Sequence, residues 1–364
     1  MDIMAKRDKD PRLQKLFDEG KKVYSISKLN TIEQCCYQAY LTYKKPREGS
    51  QNVYGIMGNR VHDTLEEIIK DKATEKDLKP ALYLELQDLD MLGIDFPKDR
   101  KGGTSIRDNW IADMQHFCEN FVRPKGKFTT EELFIYKIND DRYIQGYIDL
   151  VRHNKDDTIS ILDWKTSSQF SKDDLIHHGR QLILYAMGKE QEGFKVKSLA
   201  WIMLKYVEVT FMGKARSNSK EKTKLVKVFN RGKLLKELSK YIENDLCELN
   251  YDEVDIEIMI KNAIDTNSFD RLPKEIIKKY IVKPYVRKYD LTDALRNETL
   301  DYINNMADLF ESKSDEEEDW EAVEITEKNN FFCNQLCNHK KTCKYLKKYN
   351  DMRMLLKSED EDLF

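Results

Sequence analysis

The chain has 364 residues, of which 35% are charged and 40% hydrophobic, and its formal net charge at pH 7 is −3. This length can bury a sizeable core, and a single elaborated globular unit is expected because no internal repeat or Pro/Gly-rich linker divides it. The longest apolar run, residues 199–204, is far shorter than the ~20 residues of a membrane span. These features exclude a membrane role and favour a soluble intracellular protein, whereas so small a net charge does not indicate nucleic-acid binding.

Two predicted helices open the chain. The first carries the adjacent cysteines Cys35 and Cys36. The second places His62 and Glu66 on one face, because residues four positions apart share a helical face. By itself, a histidine in such a helix is more often a solvent-facing or core residue than a metal ligand. Further helices are expected as an insert over residues 64–122.

A strand meander is predicted next. Strands are expected over residues 133–138, 142–151 and 158–165, and the third alternates with period two. The polar residues between the last two strands favour a turn, so these strands should pair as an antiparallel hairpin. That hairpin would bring Asp149 beside Asp163.

Asp163 and Lys165 share one face of the third strand, with Asp149 next to them. Two converging carboxylates repel each other unless a cation lies between them, and hard oxygen ligands suit Mg²⁺ or Mn²⁺. A nearby lysine can hold the attacking water and offset charge on a phosphate. An ordinary surface hairpin is the alternative. Glu131 or Glu132, just before the first strand, could supply another acid.

A helix after the hairpin is predicted from its start signal. Ser171, with Asp174 three residues later, is typical of a helix N-cap. Gln181 and Tyr185 lie one turn apart on one face, although an ordinary polar stripe has the same pattern. The order of the D-x-K strand and this Q-x-x-x-Y helix resembles the PD-(D/E)xK nuclease superfamily, and within it the RecB-like branch.

This resemblance implies an α/β fold with a restriction-endonuclease-like core, in which helices flank a mixed central sheet. The branch also carries a G-x-x-x-H-x-x-x-E helix, which matches the segment from Gly58 to Glu66. The resemblance implies metal ligands at His62, Asp149, Asp163 and the Trp164 carbonyl, and catalytic or positioning roles for Asp149, Asp163, Lys165, Gln181 and Tyr185.

The second half of the chain is predicted to hold a strand over residues 199–211 and largely helical structure over residues 233–310. Ten basic and two acidic residues lie between residues 213 and 241. This excess, in a predicted hairpin, could line a groove that follows phosphates or could be a solvated face. An acidic mobile connection is expected over residues 312–327, and an acidic frayed tail over residues 358–364.

Seven cysteines are present, and three cluster near the C-terminus as Cys333-x3-Cys337-x5-Cys343. In a chain with no recognisable secretory signal, this spacing indicates a metal centre rather than disulfides, so a fourth ligand is expected from elsewhere. Cys118 and Cys247 follow apolar helical stripes and are expected to be buried thiols.

The segment over residues 25–43 resembles the opening of AddB-type and CRISPR-adaptation nucleases, in which one N-terminal and three C-terminal cysteines bind a 4Fe-4S cluster as a clasp. The resemblance implies the ligands Cys35, Cys333, Cys337 and Cys343. Two departures are the C-x3-C-x5-C spacing, where the family has C-x2-C-x5-C, and Cys36 in place of the usual proline. Cys36 therefore stays open as the fourth ligand, and Zn²⁺ is the alternative metal, with His339 nearby.

The favoured function is a divalent-metal-dependent DNA nuclease, an exonuclease on DNA ends or single strands, in recombination, repair or spacer-type processing. It is expected in the bacterial cytoplasm, or as a phage protein in a bacterial host. The sequence contains no G-x-x-x-x-G-K-[ST] phosphate loop, which leaves room for a helicase or recombination partner. The alternatives are a non-catalytic iron–sulfur DNA-binding or scaffold protein and a restriction-type endonuclease.

Four regions are predicted along the chain. An N-terminal helix with the first cluster cysteine occupies residues 1–54, and the nuclease core with its helical insert occupies residues 55–211. A basic hairpin and helical segment of unknown role follows over residues 212–330. The cysteine cluster and acidic tail form residues 331–364.

Overall fold

The structure, a computed structural model, describes residues 10–98, 105–215 and 222–361. The strands are β1 (Lys22–Tyr24), β2 (Lys127–Thr129), β3 (Glu132–Lys137), β4 (Arg142–Ile148), β5 (Leu150–His153), β6 (Thr158–Lys165), β7 (Lys195–Ala215), β8 (Lys222–Asn230) and β9 (Ile281–Tyr289). The helices are α1 (Pro11–Asp18), α2 (Ile26–Gln34), α3 (Cys36–Ala39), α4 (Val53–Ile69), α5 (Leu78–Leu92), α6 (Ile106–Asn120), α7 (Lys172–Gln191), α8 (Leu234–Glu248), α9 (Glu253–Thr266), α10 (Lys274–Ile277), α11 (Asp293–Ser312) and α12 (Lys344–Glu361). Within the described ranges, none of the helices combines the length and apolar composition needed to cross a membrane.

The described strands form two mixed sheets. Strands β1, β4 and β3 lie side by side in that order, with β1 parallel and β3 antiparallel to β4. The other sheet has the order β2, β5, β6, β7 and β8, and β9 pairs with β7. β6 and β7 are parallel because α7 forms the crossover between them. The predicted α/β architecture with mixed sheets and flanking helices is confirmed.

The strand predicted over residues 142–151 is interrupted at Asp149. β4 ends at Ile148 in the smaller sheet and β5 begins at Leu150 in the larger one. Strands β5 and β6 pair as the predicted antiparallel hairpin, with Leu150 opposite Leu162. The interruption left no mark in the sequence pattern, because apolar residues continue on both sides of it. Its consequence is that Asp149 lies at the junction of the two sheets.

Helix α7 begins as predicted, with reciprocal hydrogen bonds between Ser171 and Asp174. Residues 182–187 of this helix are buried on every side, and they pack in the main core with apolar residues of both sheets and of α2 and α11. Farther along α7, Gly188 lies against the fully buried ring of Phe134 on β3. Helix α7 is therefore fixed on both sheets at once.

The predicted helical insert over residues 64–122 forms α5, α6 and the C-terminal part of α4. These helices share a second core, in which Leu65, Leu82 and Met114 are buried. Trp164 of β6 and Leu204 of β7 contribute to the same core from the sheet. The insert therefore packs directly on the strand that carries Asp163 and Lys165.

The second half of the chain differs from its predictions at two points. Residues 233–310 are largely helical, as predicted, but they also include strand β9, which pairs antiparallel with β7. Its β-branched and aromatic residues favour a strand, and Pro284 is incompatible with a helix interior. Cys247 is exposed rather than buried, because the apolar face of α8 passes through Leu238, Ile242 and Leu246, and Cys247 lies beside that face.

The segment over residues 312–327 is packed, although its acidic composition favoured a mobile connection. The Trp320 side chain is fully buried. Glu317 accepts a hydrogen bond from the Tyr37 hydroxyl at 2.9 Å and pairs with the Lys344 ammonium at 2.8 Å. Helix α12 runs on to Glu361, into the predicted frayed tail, whose residues 362–364 lie outside the described part of the chain.

Candidate active site

Asp149 and Asp163 converge where the two sheets meet. The Asp149 Oδ2 atom accepts a hydrogen bond from the backbone N–H of Trp164 at 3.1 Å, which holds the sheet junction to the end of β6. Burial raises the pKa of the Asp149 carboxyl well above its usual range, and the charge of Asp163 raises it further. The Asp163 side chain is only 1% exposed. Two carboxylates thus share a nearly dry site.

His62 reaches this site from α4. Its Nδ1 atom lies 3.3 Å from Asp149 Oδ2. Burial lowers the pKa of His62 to about 4, against the opposite effect of the Asp163 charge. The imidazole is therefore neutral near pH 7, the form that binds metals. Glu66, one turn farther along α4, pairs with Lys70 instead of entering the site.

A chain of contacts leads away from Asp163 through Lys165, Gln181 and Tyr185. The Lys165 ammonium lies 2.7 Å from Asp163 Oδ2 and donates a hydrogen bond to Gln181 Oε1 at 3.1 Å. Gln181 Nε2 in turn donates to the Tyr185 hydroxyl at 2.7 Å. Burial lowers the pKa of Lys165, but the charges of Asp163 and Asp149 outweigh it and raise that pKa overall. Lys165 is therefore a fixed cation within the site.

Of the two neighbouring acids that the sequence left open, Glu131 is the one whose charge acts on Asp149, raising the pKa of that carboxyl. Glu131 also adopts a left-handed backbone conformation, with φ at +51°, which non-glycine residues seldom take. The Glu132 carboxylate pairs with the Lys189 ammonium at 2.9 Å, away from the acids. The structure thus favours Glu131 as the further acid.

These donors fit a hard divalent cation. Both Asp163 oxygens are buried without a hydrogen bond from a described residue, and the Lys165 ammonium is their ion-pair partner. Two carboxylates, a neutral imidazole and the Trp164 carbonyl are ligands of the kind that Mg²⁺ and Mn²⁺ accept. As the side chains stand, no group of three or more His, Cys, Asp or Glu among residues 10–98, 105–215 and 222–361 is arranged around one metal position.

The four cysteines that the family resemblance implied line one cavity, together with His339: Cys35, Cys333, Cys337 and Cys343. Cys36 lies outside that lining, and its thiol donates to the Ile32 carbonyl at 3.8 Å. Burial raises the pKa of Cys337 to about 11, and the neighbouring thiols add to the shift. The four thiols thus line one cavity, although no three of them, as described, are arranged around one metal position.

Hydrogen bonds join the N-terminal segment to the C-terminal cysteine region. The Asn52 side-chain amide donates to the Leu336 carbonyl at 3.0 Å, and the Ser50 N–H donates to the Asn338 carbonyl at 2.8 Å. These contacts join the two ends of the chain through groups other than the thiols.

Part of the predicted basic hairpin is neutralised. Strands β7 and β8 pair antiparallel, and the turn between them, residues 216–221, lies outside the described residues. The Lys222 ammonium lies 2.5 Å from a Glu248 oxygen and 3.7 Å from Asp245. Lys227 donates to the Tyr241 hydroxyl at 2.7 Å. The charge of Lys222 is thus balanced by carboxylates, whereas Lys227 keeps its positive charge because the Tyr241 hydroxyl is neutral.

The family model for the PD-(D/E)XK nuclease superfamily matches residues 23–344, which is most of the chain. The matched region includes both sheets, the two central acids and all seven cysteines. The chain belongs to this superfamily. Among curated proteins, none matches the sequence.

Proposed function

We propose that the protein is a divalent-metal-dependent deoxyribonuclease that acts as an exonuclease on DNA ends or single strands. The observation that carries the proposal is the convergence of two buried acids and a lysine at the junction of the sheets. Asp149 lies against His62, and Asp163 lies against Lys165. Superfamily membership supports the same chemistry, hydrolysis of a phosphodiester.

His62, Asp149, Asp163 and the Trp164 carbonyl would hold the cation, with Glu131 as a further oxygen donor. When bound, such a cation polarises the scissile phosphate and lowers the pKa of a nearby water. Lys165 orients the attacking water and offsets negative charge on the phosphate. Gln181 fixes the Lys165 ammonium by its hydrogen bond at 3.1 Å, and Tyr185 fixes Gln181 at 2.7 Å.

The cysteine cavity is proposed to hold a 4Fe-4S cluster bound by Cys35, Cys333, Cys337 and Cys343, with zinc as the alternative. The cluster would have a structural role, because none of these thiols belongs to the Asp149 and Asp163 site. Action in recombination, repair or spacer-type DNA processing, beside a helicase or recombination partner in a bacterial cytoplasm, follows from the family resemblance. The roles predicted for the site residues, and the boundaries predicted for the four regions of the chain, belong to the same proposal.

One assay tests the proposal. Purified protein with Mn²⁺ is given a circular single strand, the same strand linearised, a closed duplex and a linear duplex. An exonuclease degrades linear forms and leaves the circles intact. Cleavage of the circles identifies an endonuclease instead, and binding of all forms without cleavage identifies a non-catalytic DNA-binding protein. A variant with Asp149→Asn, which removes a proposed ligand, is the inactive control.

A further inference from the structure

A cavity of about 700 Å³ opens immediately beyond the C-terminal end of β6. Its lining includes Thr166, Ser167 and Ser168, which directly follow Lys165 in the chain. Helix α6, the start of α4 and strand β7 supply the other walls. The volume is in the range of ligand sites, and the cavity begins one residue after the catalytic strand ends.

The most unusual residue of this cavity is Lys205 on β7. It is only 9% exposed, and within the described residues no carboxylate lies within ion-pair distance of its ammonium. Burial lowers the pKa of Lys205, and the more distant charge of Asp113 only partly offsets this. A buried cation without a paired anion destabilises a protein. Such a group persists where function requires it.

The cavity is arranged to receive an anion. Lys233 is a second cation in its lining, against the single carboxylate of Asp113. That carboxylate is already engaged, because Asp113 accepts a hydrogen bond from the Gly232 N–H at 2.8 Å, and burial raises its pKa. Ser167 and Ser168 add hydroxyl groups to the same lining. The surplus is therefore positive charge and hydrogen-bond donors.

We propose that this cavity binds a phosphate group of the nucleic-acid substrate next to the scissile one, with Lys205 as its anchoring cation. The inference rests on the proposed nuclease function, because it assigns the cavity to the same substrate. A lysine ammonium is a compact point charge that suits a phosphate oxygen. The phosphate is either a terminal monoester or an internal diester of the strand.

Lys205→Met tests the proposal, with Lys197→Met on the same strand as the matched control. Lys197 is 56% exposed and pairs with Asp156 outside the cavity. Binding of a single-stranded oligonucleotide is measured without divalent metal over a range of salt concentrations. Lys205→Met should weaken binding about tenfold and reduce the salt slope by about 0.7, the value of one phosphate contact on a single strand. An unchanged slope for Lys205→Met overturns the proposal.

Cleavage kinetics distinguish a terminal monoester from an internal diester. The substrates are oligonucleotides with a 5′-phosphate, a 3′-phosphate or hydroxyl ends. Lys205→Met should raise KM with little change in kcat, because the residue binds and does not react. If the increase is confined to one phosphorylated end, the cavity holds a terminal monoester; if it is the same for all three, it holds an internal diester. Equal KM values for the variant and the wild type contradict the site.

Folding is checked separately. Lys205→Met should melt at or above the wild-type temperature, since it removes an unpaired buried cation. Inorganic phosphate at constant ionic strength should raise the melting temperature of the wild type but not that of Lys205→Met, and no effect on the wild type counts against the proposal. If the wild type cleaves no substrate but Lys205 still sets the salt slope, the nuclease proposal fails while the phosphate site stands.

Discussion

Lys165 illustrates how contacts within a buried site can fix the position of a proposed catalytic residue. Its ammonium is held between Asp163 and Gln181, so its position is determined by two separate elements, β6 and α7. Each contact alone would leave the four-carbon side chain several rotamers. Together they restrict the side chain further, as preorganisation of a transition-state contact requires.

Replacement of Asp163 or Lys165 by Ala should reduce cleavage at least about 10²–10³-fold. DNA binding should be largely retained, since binding to phosphates is spread over many basic groups. The measurements are nuclease rates with Mn²⁺ and equilibrium binding without it, with melting curves to verify folding. Asp156→Ala, in the exposed turn of the same hairpin, is the control and should cleave normally. Normal digestion by Asp163→Ala would contradict the site.

The sequence predicted some site residues better than others for a physical reason. Asp163 and Lys165 share a strand face by simple alternation, so one short segment was enough to predict that their side chains lie together. Glu131 could not be separated from Glu132, because the choice depends on a left-handed residue. Lys205 went unnoticed, although it is the one charged residue in the apolar stretch over residues 199–207. A single lysine in an apolar segment indicates a binding site only when the structure shows a cavity around it.

At the scale of elements, α7 is fitted to β3 through a glycine. A Cβ atom built on Gly188 would lie 2.3 Å from Cδ2 of Phe134, whose ring is fully buried and cannot move aside. The same helix carries Gln181 and Tyr185. The close approach of α7 to the smaller sheet thus helps to set the position of both residues.

Gly188→Ala should therefore destabilise the protein by about 1–3 kcal/mol through overpacking, although alanine favours a helix over glycine by about 1 kcal/mol. Gly55→Ala on α4 is the matched control. Its added Cβ would lie 3.8 Å from the nearest atom, an ordinary contact, so that variant should be neutral or slightly more stable. Urea unfolding of both variants measures the difference. Stabilisation by Gly188→Ala would show that the two elements are less closely packed.

Glu311 joins the end of α11 to the smaller sheet. Its carboxylate lies 2.8 Å from Lys22 of β1 and 2.8 Å from Arg142 of β4. Burial alone would raise the pKa of Glu311, but hydrogen bonds from Arg142, Lys22 and Tyr24 outweigh it and lower that pKa to about 2. The charged form is thus preferred more strongly in the folded protein than in the unfolded chain.

The stabilisation from this carboxylate is present in full above the usual pKa of 4.5, and is lost as pH falls toward about 2. Glu311→Gln should lower the free energy of unfolding at pH 7 by about 1–3 kcal/mol. The difference in unfolding free energy between Glu311→Gln and the wild type should become smaller as pH falls from 4.5 toward about 2. Asp308→Asn, which removes a 64% exposed partner of the same Arg142, should have a much smaller effect. A difference independent of pH would contradict this account.

Element prediction failed where long-range pairing decided the outcome. Strand β9 carried β-branched and aromatic residues, yet it forms only because β7 extends far enough to pair with it. The interruption at Asp149 likewise depends on long-range pairing, because β4 joins the smaller sheet and β5 joins the larger one. Helix α7 was predicted correctly because its capping signal at Ser171 is local.

Across the whole molecule, the N- and C-terminal segments contact each other through aromatic packing as well as around the cysteine cavity. Tyr37 lies edge-on to Tyr345 with ring centroids 4.9 Å apart, and Tyr40 packs on Trp320 at 5.8 Å. The sequence indicated this closure only through family resemblance, since no local pattern relates positions about three hundred residues apart. The proposed cysteine clasp would therefore add to an interface that already exists.

Loss of one thiol should accordingly weaken the closure without unfolding the protein. Protein purified without oxygen should be brown from iron–sulfur charge transfer. Cys343→Ala should bleach it and lower its melting temperature, because the clasp closes a very long loop in the unfolded chain. The rate of DNA cleavage should change only through the lower stability of the variant, because none of the four thiols belongs to the Asp149 and Asp163 site. Cys36→Ala, which removes the neighbouring thiol outside the cavity, is the matched control and should stay brown.

The possible outcomes distinguish two questions, namely which metal the cysteines bind and whether they form a clasp at all. Colourless anaerobic protein with stoichiometric zinc would replace the cluster by zinc, because tetrahedral thiolate sites also suit that ion, and the clasp would stand. Loss of colour in Cys36→Ala but not in Cys343→Ala would change the ligand set. If neither metal is bound and the four cavity thiols react freely with a thiol probe in the folded protein, the termini are held only by the aromatic and hydrogen-bond contacts described above.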